Sequence, residues 1–202
     1  MKISENKIDI IFLIDRSGSM HGSEDDTIGG FNSFIENERK KEYDTHVTTI
    51  LFDHEYEVLY KRKPITKVNE LTRKEYEVRG STALLDAIGK AIHEFDRKIS
   101  NKVLFVITTD GMENSSTKFN NEEIKNMIKN HNWEFIFIGA DIDSYSQARD
   151  IGIKRSHTAR YEKSDAGINN LYESVSRARE FVSEGVSLEK TNWKENLKQY
   201  DD

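Results

Sequence analysis

Five consecutive apolar residues, Ile10-Ile11-Phe12-Leu13-Ile14, run directly into Asp15-Arg16-Ser17-Gly18-Ser19. The run is short and β-branched, with charges only at its edges, which predicts a strand buried on both faces. Oxygen-bearing side chains follow where that strand ends. In an open parallel sheet, ligands bind outside the carboxyl ends of the strands. One carboxylate and two hydroxyls are hard oxygen donors of the kind Mg²⁺ takes, and Gly18 lets the loop turn tightly enough for both serines to face one point. Short Asp/Ser combinations also cap helices and close turns, so D-x-S-x-S by itself leaves both readings open.

The rest of the chain alternates. A polar loop at 20–26 precedes a helix over 27–40 with Ile28, Phe31 and Ile35 on one face. Strands follow at 47–52 and 56–60, joined so tightly at Asp53-His54 that they must be antiparallel. Lys61-Arg62-Lys63-Pro64 suits the end of an edge strand, where charge and proline discourage further pairing. Residues 68–76 are polar and suggest at most a short helix. Gly80-Ser81-Thr82 opens a helix with Leu84, Ile88, Ala91, Phe95 and Ile99 at helical spacing, and a buried strand at 103–108 ends at Thr109-Asp110-Gly111. Asn120 with Glu123 forms a capping box for the next helix. A strand at 135–138, a helix at 144–151, a weak strand at 153–158 and a long helix capped by Ser164 complete the pattern. The order predicts an α/β fold: a Rossmann-like, mostly parallel sheet with one antiparallel edge strand and helices on both faces.

The 202 residues suit one domain over 1–183 and a polar, loosely attached tail over 184–202. The net charge is −6 and no basic stripe with interleaved aromatics appears, which argues against a nucleic-acid partner. Cysteine is absent, which excludes disulfides, zinc-thiolate sites and cysteine catalysis and suits a cytoplasmic location. Residues 1–15 do not read as a signal peptide, and no stretch has the length of a membrane-spanning helix, so no membrane role is expected.

Three polar clusters should meet at one sheet edge: Asp15, Ser17 and Ser19 after the first strand, Asp110 after the strand at 103, and Thr82 in its Gly-Ser-Thr loop. If the strand order reverses between those two strands, their carboxyl ends flank a crevice. Taken together, these segments resemble a von Willebrand factor type A domain over about residues 7–183, and specifically its intracellular bacterial and phage branch. Members carry a metal-ion-dependent adhesion site built from D-x-S-x-S, a distant Thr and a distant Asp. The resemblance places that site on Asp15, Ser17, Ser19, Thr82 and Asp110, with Mg²⁺ or Mn²⁺ as the ion. It also implies a binding module rather than an enzyme, in which a partner protein's Glu or Asp completes the metal shell, as part of a bacterial or phage assembly. In the family the final helix can shift when the metal ligands rearrange.

An alternative is a Mg²⁺-dependent phosphohydrolase of the haloacid-dehalogenase type. That chemistry needs a second Asp two residues after the first, where this chain has Ser17, and it leaves Thr82 without a role. Around the site, His21, Glu113 and Asn114 read as solvated loop residues, and Asp141 as a turn or cap at the same sheet edge. Trp133 should pack a helix onto the strand at 135, and Trp193 lies in the expected tail.

Overall fold

The computed structural model describes residues 7–41, 43–140 and 143–197. Its sheet is built around β1 (Ile8–Asp15), which is buried along its whole length. Alternate side chains of a strand point to opposite faces. Ile10, Phe12 and Ile14 therefore join one core with α1 (Glu24–Arg39) and α5 (Asp165–Glu184). Ile11 and Leu13 join the other, with α2 (Leu84–Phe95), α3 (Asn121–Lys129) and α4 (Ser144–Asp150).

The remaining strands are β2 (Thr45–Phe52), β3 (Tyr56–Pro64), β4 (Lys102–Thr109), β5 (Glu134–Gly139) and β6 (Thr158–Arg160). They lie in the order β3-β2-β1-β4-β5-β6, and only the β2–β3 pair is antiparallel. The chain leaves β1 first toward β3 at one edge and later toward β6 at the other. The reversal falls between β1 and β4, so their carboxyl ends flank the expected crevice.

Several elements differ from the sequence expectation. α1 starts at Glu24, three residues early, because Glu24, Asp25 and Asp26 face the helix N-terminus and the Glu24 carboxylate accepts the Gly22 amide at 2.7 Å. No α-helix forms over 68–76. Asn32 holds that segment instead, donating to the Leu71 carbonyl at 2.9 Å and accepting its amide at 2.7 Å. The last strand starts only at Thr158, since a 3₁₀ turn at Arg155–His157 precedes it and Ile153 packs into the core that α2, α3 and α4 share. Arg62 is more than an edge charge. Its guanidinium makes two bonds, at 2.8 and 3.2 Å, to Asp9, which is buried on the central strand.

The polar segment beyond Glu184 packs where a loose tail was expected. Leu188, Trp193 and Leu197 are buried, the Trp193 indole donates to the Ser156 carbonyl at 2.9 Å, and Lys194 donates to the Arg155 and Thr158 carbonyls at 2.7 Å each. Trp133 stacks on Phe105 and Phe135.

α5 is capped as expected, Ser164 Oγ accepting the Gly167 amide at 3.1 Å. Its apolar stripe is buried, and it lies so close to α1 that a Cβ on Gly30 would sit 2.6 Å from Ile168 Cγ2. A fully buried ion pair joins Arg179 of α5 to Glu38 of α1. Among the described residues no helix is long and apolar enough to cross a membrane.

Candidate metal centre

At the carboxyl end of β1, Asp15 is fully buried. One carboxylate oxygen accepts the Ser17 amide at 2.6 Å, which closes a tight Asx-type turn, and the other accepts the Thr109 hydroxyl at 2.5 Å. Its carbonyl accepts the Tyr76 hydroxyl at 2.6 Å. Burial pushes the Asp15 carboxyl up to about 6, with Asp110 adding repulsion and the bonds from Thr109 and Ser17 opposing it.

The turn delivers Ser17 and Ser19 to one point, their hydroxyls 3.1 Å apart. Thr82 comes from a different loop and its hydroxyl donates to Ser17 Oγ at 2.9 Å. That loop is tied to the serine turn by Gly18 N to Gly80 O at 3.0 Å and Arg79 N to Arg16 O at 2.8 Å. Gly80 has φ +69, and a Cβ there would meet the His54 ring at 2.1 Å, so only glycine lets the loop close.

Asp110 follows β4 and its side chain is fully buried. Neither of its carboxylate oxygens accepts a hydrogen bond among the described residues, although the Lys163 ammonium lies 2.5 Å from Oδ2. The contact is one of charge, without hydrogen-bond geometry. Gly111 comes next, and a Cβ there would stand 2.8 Å from Ser19 Oγ, 2.8 Å from Thr82 Oγ1 and 3.3 Å from Ser17 Oγ. Its backbone is outside the left-handed region, so what glycine provides here is space rather than conformational freedom.

The five sequence-predicted residues therefore converge on one end of the sheet: two hydroxyls, of Ser19 and Thr82, each in contact with that of Ser17, the Gly111 cradle beside them, and two buried carboxylates. Among the described residues no three His, Asp or Glu side chains gather as an acidic metal cluster. The set is rich in neutral oxygen donors, which fits a hard divalent cation that keeps open positions. Buried polar groups are normally paired, so the unsatisfied Asp110 oxygens also fit a cation-binding role.

Sequence reasoning missed the frame that holds these groups. Arg16, the variable position of D-x-S-x-S, is buried, with Nε 3.0 Å from Asp53 Oδ2 and Nη1 2.7 Å from Glu57. Arg79 reaches the same Asp53 oxygen at 3.0 Å. Glu113 is no solvated loop residue: it accepts the amides of Leu85, Ser115 and Ser116 at 3.0, 3.0 and 2.7 Å and so ties its loop to α2. Asn114 accepts the Thr82 amide at 2.9 Å. The only sequence signal was position, since Asp53 also ends a strand at this edge. His21 is exposed as expected, with Glu24 at 3.1 Å. Asp141 lies outside the described residues.

A mostly parallel sheet that reverses between β1 and β4, with a hydroxyl-rich donor set at the reversal, is an α/β architecture with its polar cluster at the topological switch point. The family model for the von Willebrand factor type A domain matches residues 9–174, and the chain belongs to that family. No curated protein matches it. Among solved structures, it is similar to proximal thread matrix protein 1 from the mussel byssus, at 16% identity and a TM-score of 0.65 over 88% of this chain and 46% of that one. A structure of that protein with a zinc-occupied MIDAS motif superposes at TM-score 0.60 and 16% identity, over 87% of this chain and 44% of that one. The manganese-loaded Plasmodium vivax TRAP protein shares 19% identity at TM-score 0.58, over 80% of this chain and 70% of that one. The chain thus spans under half the length of the mussel protein.

Space at Gly111 gives a direct test. Gly111→Ala should weaken Mn²⁺ binding by about tenfold or more, the scale on which overfilling a packed site costs free energy, in a variant that still folds. Calorimetric titration checks this; unchanged affinity would mean that the cradle is not where the cation sits.

Proposed function

We propose that this chain is a metal-dependent protein-binding module in which Asp15, Ser17, Ser19, Thr82 and Asp110 hold one Mg²⁺ or Mn²⁺. The observation that carries this reading is the trio of hydroxyls around the Gly111 cradle, next to a buried carboxylate whose oxygens accept no hydrogen bond among the described residues. The ion would supply Lewis acidity to a ligand oxygen arriving from outside. Because three of the five side chains are neutral, little anionic charge opposes that ligand, and a partner's Glu or Asp carboxylate suits it best. The manganese and zinc bound by the two similar proteins support a divalent ion in general. The acidic net charge and lack of cysteine support a protein partner in the cytoplasm rather than nucleic acid.

The chain's residues do the positioning. Arg16, Asp53 and Arg79 brace the two hydroxyl-bearing loops, and Thr109 and the Ser17 amide orient Asp15. No carboxylate stands at position 17, which speaks against a phosphoryl-transfer nucleophile at Asp15 with its acid/base partner.

The test is a Mn²⁺ titration followed by water-proton relaxation. One site should appear in the wild type and vanish in Ser17→Ala/Ser19→Ala. Acetate or a short Glu-containing peptide should then displace metal-bound water and lower the relaxation enhancement, whereas the Gln-containing peptide should not. A folded protein that takes up no Mn²⁺ at millimolar concentration would refute the metal reading. Phosphate-ester turnover lost in Asp15→Asn would refute the binding-module reading.

A further inference from the structure

We infer that Lys163 is a tethered counter-ion of the metal centre, so that loading a divalent cation is an exchange against the lysine ammonium. This rests on the metal reading above. Lys163 Nζ lies 2.5 Å from Asp110 Oδ2 and 3.4 Å from the Ser19 carbonyl, so it touches two of the three segments that meet at the site. The Asp110 side chain is fully buried and its oxygens accept no hydrogen bond among the described residues. A buried carboxylate without compensating charge is strongly destabilising, and Asp15 lies close enough to add repulsion. In the metal-free protein the ammonium supplies the missing positive charge.

The way the lysine is held suits an exchange. Its side chain is 47% exposed, so it enters from the solvent side and can leave by the same route. The backbone around it is pinned. Ser164 caps α5, and a Cβ on Gly167 would stand 2.1 Å from the Glu162 carbonyl. The ammonium can therefore swing away on its flexible four-carbon stem without displacing the chain. A divalent ion and an ammonium repel each other at this range, so Asp110 serves one at a time. Lys163 thus stabilises the empty site and weakens metal binding, two effects of opposite sign from one side chain.

Lys163→Met separates this from a structural role. In chelator the variant should melt below wild type. In saturating Mn²⁺ the gap should close or reverse, and its Mn²⁺ affinity by calorimetry should be tighter by about tenfold, the factor for displacing one modest ion pair. Lys163→Arg, which keeps the charge, should behave like wild type in both. Should the Met variant be too unstable without metal, Lys163→Gln gives the same readouts. Equal or weaker Mn²⁺ affinity in the uncharged variants, or a melting deficit unchanged by metal, overturns the inference. If wild type and variants all fold and none binds Mn²⁺, the metal reading falls and takes this one with it.

Discussion

Asp15→Asn should abolish useful metal binding and at the same time stabilise the metal-free protein at neutral pH. The loss of affinity should exceed about 100-fold, because removing groups that only support a metal ligand already costs roughly 10- to 100-fold. The gain in stability follows from burial. Asp15 titrates at about 6 in the folded chain against 3.8 for the unperturbed group. Between those values the folded state binds more protons than the unfolded one, so stability falls as pH rises from about 4 to about 6, and is flat above that. The penalty at pH 7 is on the order of 3 kcal/mol for a shift of about two units. Asparagine keeps the acceptor for the Ser17 amide, and Thr109 can redirect its hydroxyl to the Gly111 carbonyl, 3.2 Å away. Denaturant melts in chelator from pH 4 to 8 should therefore show the stability of wild type relative to the variant falling between about pH 4 and 6 and holding level above. Wild-type metal affinity should rise through about pH 6, since binding competes with the proton on Asp15. A variant that binds Mn²⁺ like wild type would remove Asp15 from the site.

The second large effect lies some 20 Å along α1, at the buried Glu38–Arg179 pair, by the rise of an α-helix over 14 residues. Breaking such a pair costs about 3–5 kcal/mol, because it strands a buried charge. The two truncations should differ. Without Arg179, Glu38 keeps Lys41 at 2.8 Å and the Ser176 hydroxyl. Among the described residues, Arg179 without Glu38 keeps only the Tyr43 ring, 4.2 Å from its guanidinium carbon, and its Nε and Nη1 already lack hydrogen-bond partners there. Glu38→Ala should thus cost the full amount and Arg179→Met less, while Glu38→Leu/Arg179→Met should recover much of the loss. Chemical denaturation measures all three. Mn²⁺ affinity of the folded variants should match wild type, and a pair that proves neutral to break would mean that water reaches it.

How far these features were legible follows from the range of the interactions. Runs such as Ile10 to Ile14 and the spacing of Leu84, Ile88 and Ala91 report the burial of each element directly, because hydrophobic period is a local property. With the β–α alternation they determined the parallel sheet and its antiparallel edge, and the strand ends at Asp15 and Asp110 pointed to the sheet edge where the five candidate residues meet. The capping box at Asn120 and the cap at Ser164 were equally legible, since each spans three residues.

What escaped the sequence acts across long separations or through irregular backbone. The Arg16–Asp53–Arg79 brace, the hold of Glu113 on α2 and the reach of Lys163 to Asp110 join polar residues that carry no period and look solvated one at a time. Trp193 and Leu197 read as part of a polar tail because a few apolar residues scattered through a charged stretch show no pattern until β6 and the 3₁₀ turn offer them a surface. The alternation and strand-end chemistry of this protein were thus written in its sequence. The electrostatic frame of the site, and the lysine that balances it, exist only once distant segments are brought together, because a charge becomes costly, and its partner decisive, only after burial removes the water that would otherwise solvate both.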